Sequence, residues 1–542
     1  MRLRQLLPLL ALAGRTTLAE AKAVFAHFMV GNVGAFSQAD WESDIRLAQE
    51  AGIDGFALNI AAGDSSNGGS LEKAFAAADA RGFKLFFSFD YKAWGAWDAG
   101  VVINLVNGYK NRGSYWKQGA QPLVSTFEGV DNIGDWGRIR SETGAFFVPD
   151  WSSIDPRAAV GSGVVDGLFS WDAWPEGAND KNTGTDNTYK AALNGRPYMM
   201  PVAPWFYTNL PGWNKNWVWR GDDLWFDRWQ QVLDVQPDMV EILTWNDFGE
   251  SHYIGPLHES EFGLFTSGGA PYNYVEGMPH DGWRAFLPYL IQQYKTGSAT
   301  VSNEGLTTWY RVNPNNACSN GGTTGNDAGH GQQLLDPTAV VQDRVFYSAL
   351  LGSSADVTVT IGGAVRRGNW ENTPAGGSGV YHGSVPFDGA TGEVVVTVSR
   401  GGNTISEVRG ASITTNCRNG IKNFNAWVGS AGGPAPGSGG GGGGGETPPP
   451  SPGQVCVGGT GEGNFQGLCD FTCQYGYCPE DVCTCLAFGS QKAAPPNTGR
   501  KGYPLVNLPG RCGYVGLCSF AYDHGYYPDT ACGTDPAGAA GC

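Results

Sequence analysis

The stretch Met239-Val240-Glu241-Ile242-Leu243-Thr244-Trp245-Asn246-Asp247-Phe248-Gly249-Glu250-Ser251-His252-Tyr253 opens as an apolar, β-favouring run and closes in side chains that move protons and bind hydroxyls. A buried strand of a parallel sheet delivers chemistry in this way, at its carboxyl end. Asp247 and Glu250 are three apart, so on a regular strand they would face opposite sides, and a shared site requires the chain to bend between them. Gly249 is the residue expected to permit that bend. Two converging carboxyls beside Trp245, Asn246, His252 and Tyr253 suffice for acid/base work on a polyhydroxylated substrate. The bland alternative is a strand followed by a polar loop whose Asp and Glu are solvated or cap a helix.

Working outward, apolar runs alternate with helix-period segments from Ala23 to about Thr296. The runs are Val24 to Val30, Gly55 to Ile60, Phe83 to Asp90, Pro122 to Glu128, Ala145 to Trp151, Val165 to Trp174, Tyr198 to Phe206 and Met239 to Asp247. Helices are expected between them, for example Ala39 to Ala51 after Ser37, and Leu71 to Ala80 opened by Ser70 and stopped at Gly82. This alternation predicts an α/β fold, a (β/α)8 barrel over residues 22–298, with a doubly wound sheet as the fallback. In a barrel the strand ends face the ligand. Those ends carry His27, Asn59, Asp90, Glu128, Asp150 with Trp151, Trp171 with Asp172, Trp205 with Tyr207, and Trp245 to Asp247. Each has an ordinary structural explanation, since an Asp at a strand end often caps the next helix and a Trp in an apolar run is usually core. Their coincidence at one face points to a sugar-processing cleft.

Residues 299–428 alternate polar and apolar positions in runs such as Val340 to Ser348, Ala355 to Ile361 and Glu393 to Ser399, which predicts an antiparallel β-sandwich with a structural role. Cys318 and Cys417, its only cysteines, are candidates to pair. Residues 429–454 read as a linker, Gly439 to Gly445 followed by Thr447-Pro448-Pro449-Pro450. Residues 455–542 hold ten of the 12 cysteines, a disulfide framework rather than a metal site. They also contain a repeat: Gly467-Leu468-Cys469-Asp470-Phe471 is echoed by Gly516-Leu517-Cys518-Ser519-Phe520, and Cys483 by Cys532. Cys473 and Cys478 become Tyr522 and Tyr527 together, and joint loss suggests that those two cysteines bond to each other. The remaining pairings stay open.

Composition bounds the partners. A net charge of -16 argues against nucleic acid, while a neutral polymer is compatible. Met-Arg-Leu-Arg, the apolar Leu6 to Leu12 and Ala19-Glu20-Ala21 read as a secretory signal over residues 1–21. No later run has the length of a bilayer span, so a soluble, secreted monomer without membrane contact is expected.

The motifs Ala26-His27-Phe28-Met29-Val30-Gly31-Asn32, Asp54-Gly55-Phe56-Ala57-Leu58-Asn59, Pro149-Asp150-Trp151, Trp171-Asp172-Ala173-Trp174-Pro175 and Thr244-Trp245-Asn246-Asp247-Phe248-Gly249-Glu250-Ser251 resemble the fungal α-1,3-glucanases, or mutanases, of glycoside hydrolase family 71. The tail, through Gly467-Leu468-Cys469 and Tyr475-Gly476-Tyr477-Cys478-Pro479, resembles family 24 carbohydrate-binding modules. The resemblance implies endo-hydrolysis of α-1,3-glucan with inversion, with no metal or organic cofactor, in the cell wall or outside the cell. It implies Asp247 and Glu250 as the carboxyl pair; aromatic surroundings that raise a carboxyl's pKa make Glu250 the expected general acid and Asp247 the general base, with the opposite order open. It also implies a substrate-binding set of His27, Asn59, Asp90, Asp150, Trp151, Trp171, Asp172, Trp205, Tyr207, Trp245, Asn246 and His252, with Asp90, Asp150 and Asp172 as reserve acids. Two rival readings stand beside it: a related glycosidase acting on another glycan such as α-mannan, and a non-catalytic wall-binding protein.

Overall fold

The computed structural model describes residues 22–432, 455–461, 466–479, 482–489, 494–506, 508, 511–528 and 531–542. The expected leader and residues 433–454 of the expected linker lie outside them. Two compact units divide at Gly439.

The first unit is built on a curled, nine-stranded sheet in which every strand but Lys117–Gln118 runs parallel to its neighbour. Its parallel strands are β1 (Ala23–Met29), β2 (Gly55–Ala61), β3 (Lys84–Asp90), β4 (Gln121–Phe127), β5 (Phe146–Phe147), β6 (Leu168–Phe169), β7 (Tyr198–Val202) and β8 (Met239–Ile242). In space they follow the order β5-β4-β3-β2-β1-β8-β7-β6. Asp150, just past β5, forms isolated parallel bridges to Phe127 of β4, continuing the pairing of those neighbours, and to Phe169 of β6, the strand at the other end of that order. A helix follows each strand: α1 (Gln38–Glu50), α2 (Asn67–Arg81), α3 (Ala99–Tyr109), α4 (Trp136–Thr143), α5 (Pro156–Gly161), α6 (Gly184–Leu193), α7 (Leu224–Val235) and α8 (Leu287–Thr296).

Local signals account for most boundaries. Ser37 and Asp40 make a reciprocal capping box at the start of α1, satisfying two otherwise unpaired backbone N–H groups. Gly82, at φ 67°, takes the left-handed position that ends α2. That helix starts at Asn67, not after Ser70, because the small residues Gly68 and Gly69 are tolerated inside it and Ser70 is buried on its inner face.

Residues between Gly305 and Gly432 form two four-stranded antiparallel sheets. One contains β9 (Gly305–Arg311), β10 (Arg344–Leu351), β13 (Gly379–Pro386) and β16 (Ala426–Gly432); the other contains β11 (Asp356–Ile361), β12 (Ala364–Arg367), β14 (Gly392–Arg400) and β15 (Asn403–Ile413). The period of two is legible in β10: Val345, Tyr347, Ala349 and Leu351 enter the core between the two sheets, while Phe346 and Leu350 join the core of the parallel sheet and its helices. Both faces of β10 are therefore apolar, and the expected second domain is continuous with the first. The first four residues of the expected linker belong to the first unit. Gly429 to Gly432 are the end of β16, paired with β9, and Gly429 is small because a Cβ there would meet the Trp427 ring at 2.3 Å.

In the second unit α9 (Gln466–Gln474) and α10 (Val515–Asp523) carry the two copies of the repeat. Cys469–Cys483 and Cys518–Cys532, each spanning 14 residues, are the same bond in both. Cys473–Cys478 is bonded as the joint loss suggested, and in the second copy Tyr522 and Tyr527 meet edge to face at 5.0 Å in its place. The copies exchange rings: Tyr477 stacks on Phe520 at 5.1 Å, and Tyr526 stacks on Phe471 at 4.5 Å. Each tyrosine hydroxyl rests near the glycine at the start of the other copy's helix, where an added Cβ would lie 3.0 Å from Tyr526 at Gly467 and 2.4 Å from Tyr477 at Gly516. Cys456–Cys485 and Cys512–Cys542 complete the unit, and Cys318–Cys417 joins the pair expected in the first. Among the described residues no helix is long and apolar enough to cross a membrane.

Candidate active site

Beyond β8 the chain folds back on itself as a loop with a pinned neck. Thr244 N–H donates to the His252 carbonyl at 2.8 Å, and Ile254 N–H returns a bond to the Thr244 carbonyl at 3.0 Å. Within the loop, Phe248–Glu250 is a single 3-10 turn capped by Asp247, whose Oδ1 accepts from Glu250 N–H at 3.1 Å. Residues three apart eclipse in such a turn, so Asp247 and Glu250 come to one side. The expected role of Gly249 is corrected here. The chain reverses at Ser251, φ 59°, while Gly249 is a close-packing position whose Cβ would meet Leu210 at 3.2 Å.

One oxygen of each carboxylate and one nitrogen of His252 lie within 4.8 Å of one another. Both acids are mostly buried, at 18% and 15% exposed for the Asp247 and Glu250 side chains. Glu250 is held on both oxygens: Lys215 Nζ donates to Oε1 at 2.7 Å, and His252 Nε2 bonds Oε2 at 2.9 Å. Burial works against its charge, but the Lys215 ammonium and the His252 bond outweigh it and hold the carboxyl well below the usual range. Asp247 is displaced upward, first by burial and then by the Glu250 charge. The pair is thus electrostatically divided, with the two carboxyls displaced in opposite directions. The same donors are of a type that can bind a cation, but the Lys215 ammonium already satisfies Glu250 and gives the cluster the character of a proton-handling group.

Aromatic rings pack around this group. His252 packs against both Trp174 (5.2 Å) and Phe206 (5.6 Å), which meet each other at 5.1 Å, and Phe206 stacks on Trp217 at 5.4 Å. Trp171, half-buried, meets the rings of His27 at 5.0 Å and Phe127 at 4.7 Å.

The other expected site residues divide sharply. Asp90 caps its own loop, Oδ1 accepting from Lys92 and Ala93 N–H at 2.7 and 2.9 Å, and Asn59 donates to its other oxygen. Asp172 pairs with Lys181 at 2.6 Å. Asp150 is fully buried; its carboxylate accepts from the Ser152 hydroxyl, and burial raises its pKa well above the usual range. His27 is equally buried, its Nδ1 2.6 Å from Glu241 Oε1. Trp245, expected to wall the cleft, instead lies in the core and donates Nε1 to Asp44 at 2.8 Å. Asn246 clamps β1, accepting from Met29 N–H at 2.8 Å. Trp205 donates to the Phe424 carbonyl at 2.9 Å, Tyr207 is enclosed by Tyr274 and Phe424, and Trp151 packs on Phe147. All five are buried, each held by the ring or hydrogen-bond partner just named rather than turned to an open face. Lys215, Phe206 and Trp217 were missed. The signal for Lys215 and Trp217 was the alternation of Lys215, Trp217 and Trp219, a strand pattern outside the eight runs, whereas Phe206 closes the seventh run between two aromatics that were singled out instead.

Residues 20–438 match glycosyl hydrolase family 71. The chain belongs to that family. It is 36% identical over 427 residues to a glucan endo-1,3-alpha-glucosidase of Schizosaccharomyces pombe, covering 75% of this chain and 94% of that one. A mutanase of Penicillium rubens is 35% identical over 431 residues, covering 76% and 90%. An ascus wall endo-1,3-alpha-glucanase of Schizosaccharomyces pombe is 31% identical over 330 residues, covering 56% and 75%. As a family 71 member the chain is a glycoside hydrolase, and its match spans both the parallel sheet and the antiparallel sheets that follow it.

Proposed function

We propose that this family 71 chain is a secreted, endo-acting hydrolase of α-1,3-glucan in which Asp247 and Glu250 are the catalytic carboxyls. The observation that carries this reading is their convergence on one 3-10 turn, with opposite displacements of charge, beside an aromatic wall. The names of the fungal relatives support the substrate. The reading reverses the roles first expected: Asp247, which tends to hold its proton, is the general acid to the leaving glucose, and Glu250, kept ionised, is the base that orients and deprotonates water. The parallel sheet is taken to close as a (β/α)8 barrel, supported by the single bridge from Asp150, just past β5, to Phe169 of β6 and by a helix after every strand. The cystine-rich unit is taken to hold insoluble polymer, supported by its exposed Tyr477 and Tyr527.

Inversion remains part of the proposal. An inverting pair stands about 6.5–9.5 Å apart to admit water, whereas the nearest oxygens here lie within 4.8 Å, so the pair must open when substrate enters. That short approach favours a second reading, retention with Glu250 as nucleophile. NMR of the first product from α-1,3-glucan separates the two: a β-anomer supports inversion, and an α-anomer overturns it. Asp247→Asn and Glu250→Gln each remove nearly all release of reducing ends and leave polymer binding. A near-normal rate in either variant refutes the assignment, and release from mannan instead of α-1,3-glucan refutes the substrate.

A further inference from the structure

The residue that grips Glu250 comes from a hairpin built partly by the second half of the unit. After β7 the chain forms antiparallel strands Tyr207–Leu210 and Lys215–Val218, and the latter pairs in parallel with Thr324–Gly325, which lies between β9 and β10. Alternation along the strand puts Lys215 on the carboxyl group and its neighbour Asn216 on the opposite side. There Asn216 Nδ2 donates to the Gly321 carbonyl at 3.1 Å, and the Thr323 hydroxyl donates to Asn216 Oδ1 at 2.7 Å. Asn326 N–H adds a bond to the Val218 carbonyl at 3.1 Å. The clamp is itself anchored. Cys318–Cys417 sits at its root, Ser319 N–H donates to the Gly420 carbonyl at 3.1 Å, and Lys422 N–H donates to the Ser319 carbonyl at 2.8 Å.

We infer that Lys215 is a positioning residue for Glu250, and that the segment from Gly321 to Thr324 sets its place, so that the region after residue 298 is part of the active-site machinery rather than a structural appendage. A lysine on a flexible four-carbon stem holds one geometry only if its backbone is fixed on both sides. Here one side is the first strand of the hairpin and the other is the clamp. The groups facing Glu250 are Lys215, His252 and Asp247, and Lys215 in turn feels Asp247 and Asp90. Removing the ammonium leaves Glu250 with one donor, in buried surroundings beside an acid, and its charged form becomes harder to keep.

The inference rests on Glu250 being the ionised catalytic group. The test uses the full chain and soluble α-1,3-linked gluco-oligosaccharides, reading kcat, KM and the pH profile. Lys215→Met is expected to lower kcat about 100-fold, with KM within about threefold, and to move the acidic limb of kcat/KM upward by about one pH unit. Lys215→Arg restores the limb and at least about tenfold of the rate, because a guanidinium still donates to the carboxylate. Asn216→Ala with Thr323→Val, distant from substrate, shifts kcat and the limb in the same direction by a smaller amount. If Lys215→Met keeps its rate and limb while Glu250→Gln is dead, the inference fails and the catalytic assignment stands. A Glu250→Gln enzyme that still turns over sinks the assignment beneath it. A loss in Lys215→Met with an unmoved limb and no rescue by arginine makes the lysine merely structural and overturns the inference. Should Lys215→Met fail to fold, the Asn216 and Thr323 variants decide, and a wild-type profile in them refutes it.

Discussion

Raising the pH from 6.5 to 9.5 is expected to loosen the first unit, through a brace behind the loop proposed to carry the active site. His258 Nε2 lies 3.0 Å from Asp44 Oδ1, and the same carboxylate receives Trp245 Nε1, so α1 is tied to the loop that carries Asp247 and Glu250. Burial alone would push the imidazole down, but the Asp44 carboxylate overrides it and lifts His258 from 6.5 to about 9. A base raised by folding adds stability that is fully present below its unfolded value and is lost as pH rises through the folded one. At 1.36 kcal/mol per pH unit this displacement is worth about 3 kcal/mol. Glu261, lifted by burial from 4.5 to about 8, acts in the same direction, since the unfolded chain ionises first and gains as pH climbs between those values. The control is the double variant His258→Gln/Asp44→Asn, which removes the ion pair without leaving a lone buried charge. Thermal melting of the full chain, followed by near-ultraviolet circular dichroism at pH 6.5 and 9.5, is the measurement. At roughly 1–2 °C per kcal/mol for a unit of this size, the wild-type midpoint falls about 3–6 °C further than that of the double variant. Equal falls in the two proteins refute the reasoning.

Three other outcomes follow from the same contacts. Arg228→Met costs about 3–5 kcal/mol in urea unfolding, because it strands the buried Asp186 carboxylate that Arg228 grips at 2.9 and 3.1 Å, and Asp186→Asn on that background recovers part of the loss. Gly321→Ala places a Cβ 2.5 Å from Ile421 at a φ of 63°, and is expected to lower the melting point and kcat together while KM changes less than about threefold. Ending the chain after Ser438 leaves the first unit whole, and lowers the rate on insoluble α-1,3-glucan about tenfold or more while soluble oligosaccharides are cleaved as before.

The strands were legible because each lies in a mostly apolar run bounded by turn residues; the first four runs match β1 to β4 within a residue or so, while β5 to β8 occupy only part of theirs, Phe146–Phe147, Leu168–Phe169, Tyr198–Val202 and Met239–Ile242. The turn proposed as catalytic was legible as acids at a strand end, but its geometry was not. Asp247 is both the bland helix cap and a member of the acidic pair, a dual use that residue type alone does not exclude. Trp205, Tyr207 and Trp245 misled because a tryptophan near a strand end reads the same whether it faces the cleft or the layer behind it. Glu241 lay in plain view inside an apolar run, and its buried partner His27 was a separate motif, so their pairing across neighbouring strands needed the register Phe25 to Glu241. Lys215 is 35 residues from Glu250 and reaches it only because a hairpin and a clamp from beyond residue 320 are assembled around it. In the tail the one pairing that could be foreseen, Cys473–Cys478, was betrayed by a correlated loss; the others depended on packing.

The ring exchange in the cystine-rich unit makes the two copies answerable to each other. A lesion at Phe471 empties the seat of Tyr526, and one at Phe520 unseats Tyr477, so damage entered on one side is felt across the dyad. Such a unit melts in a single step rather than half by half, and a protease that nicks between the copies leaves both still embraced.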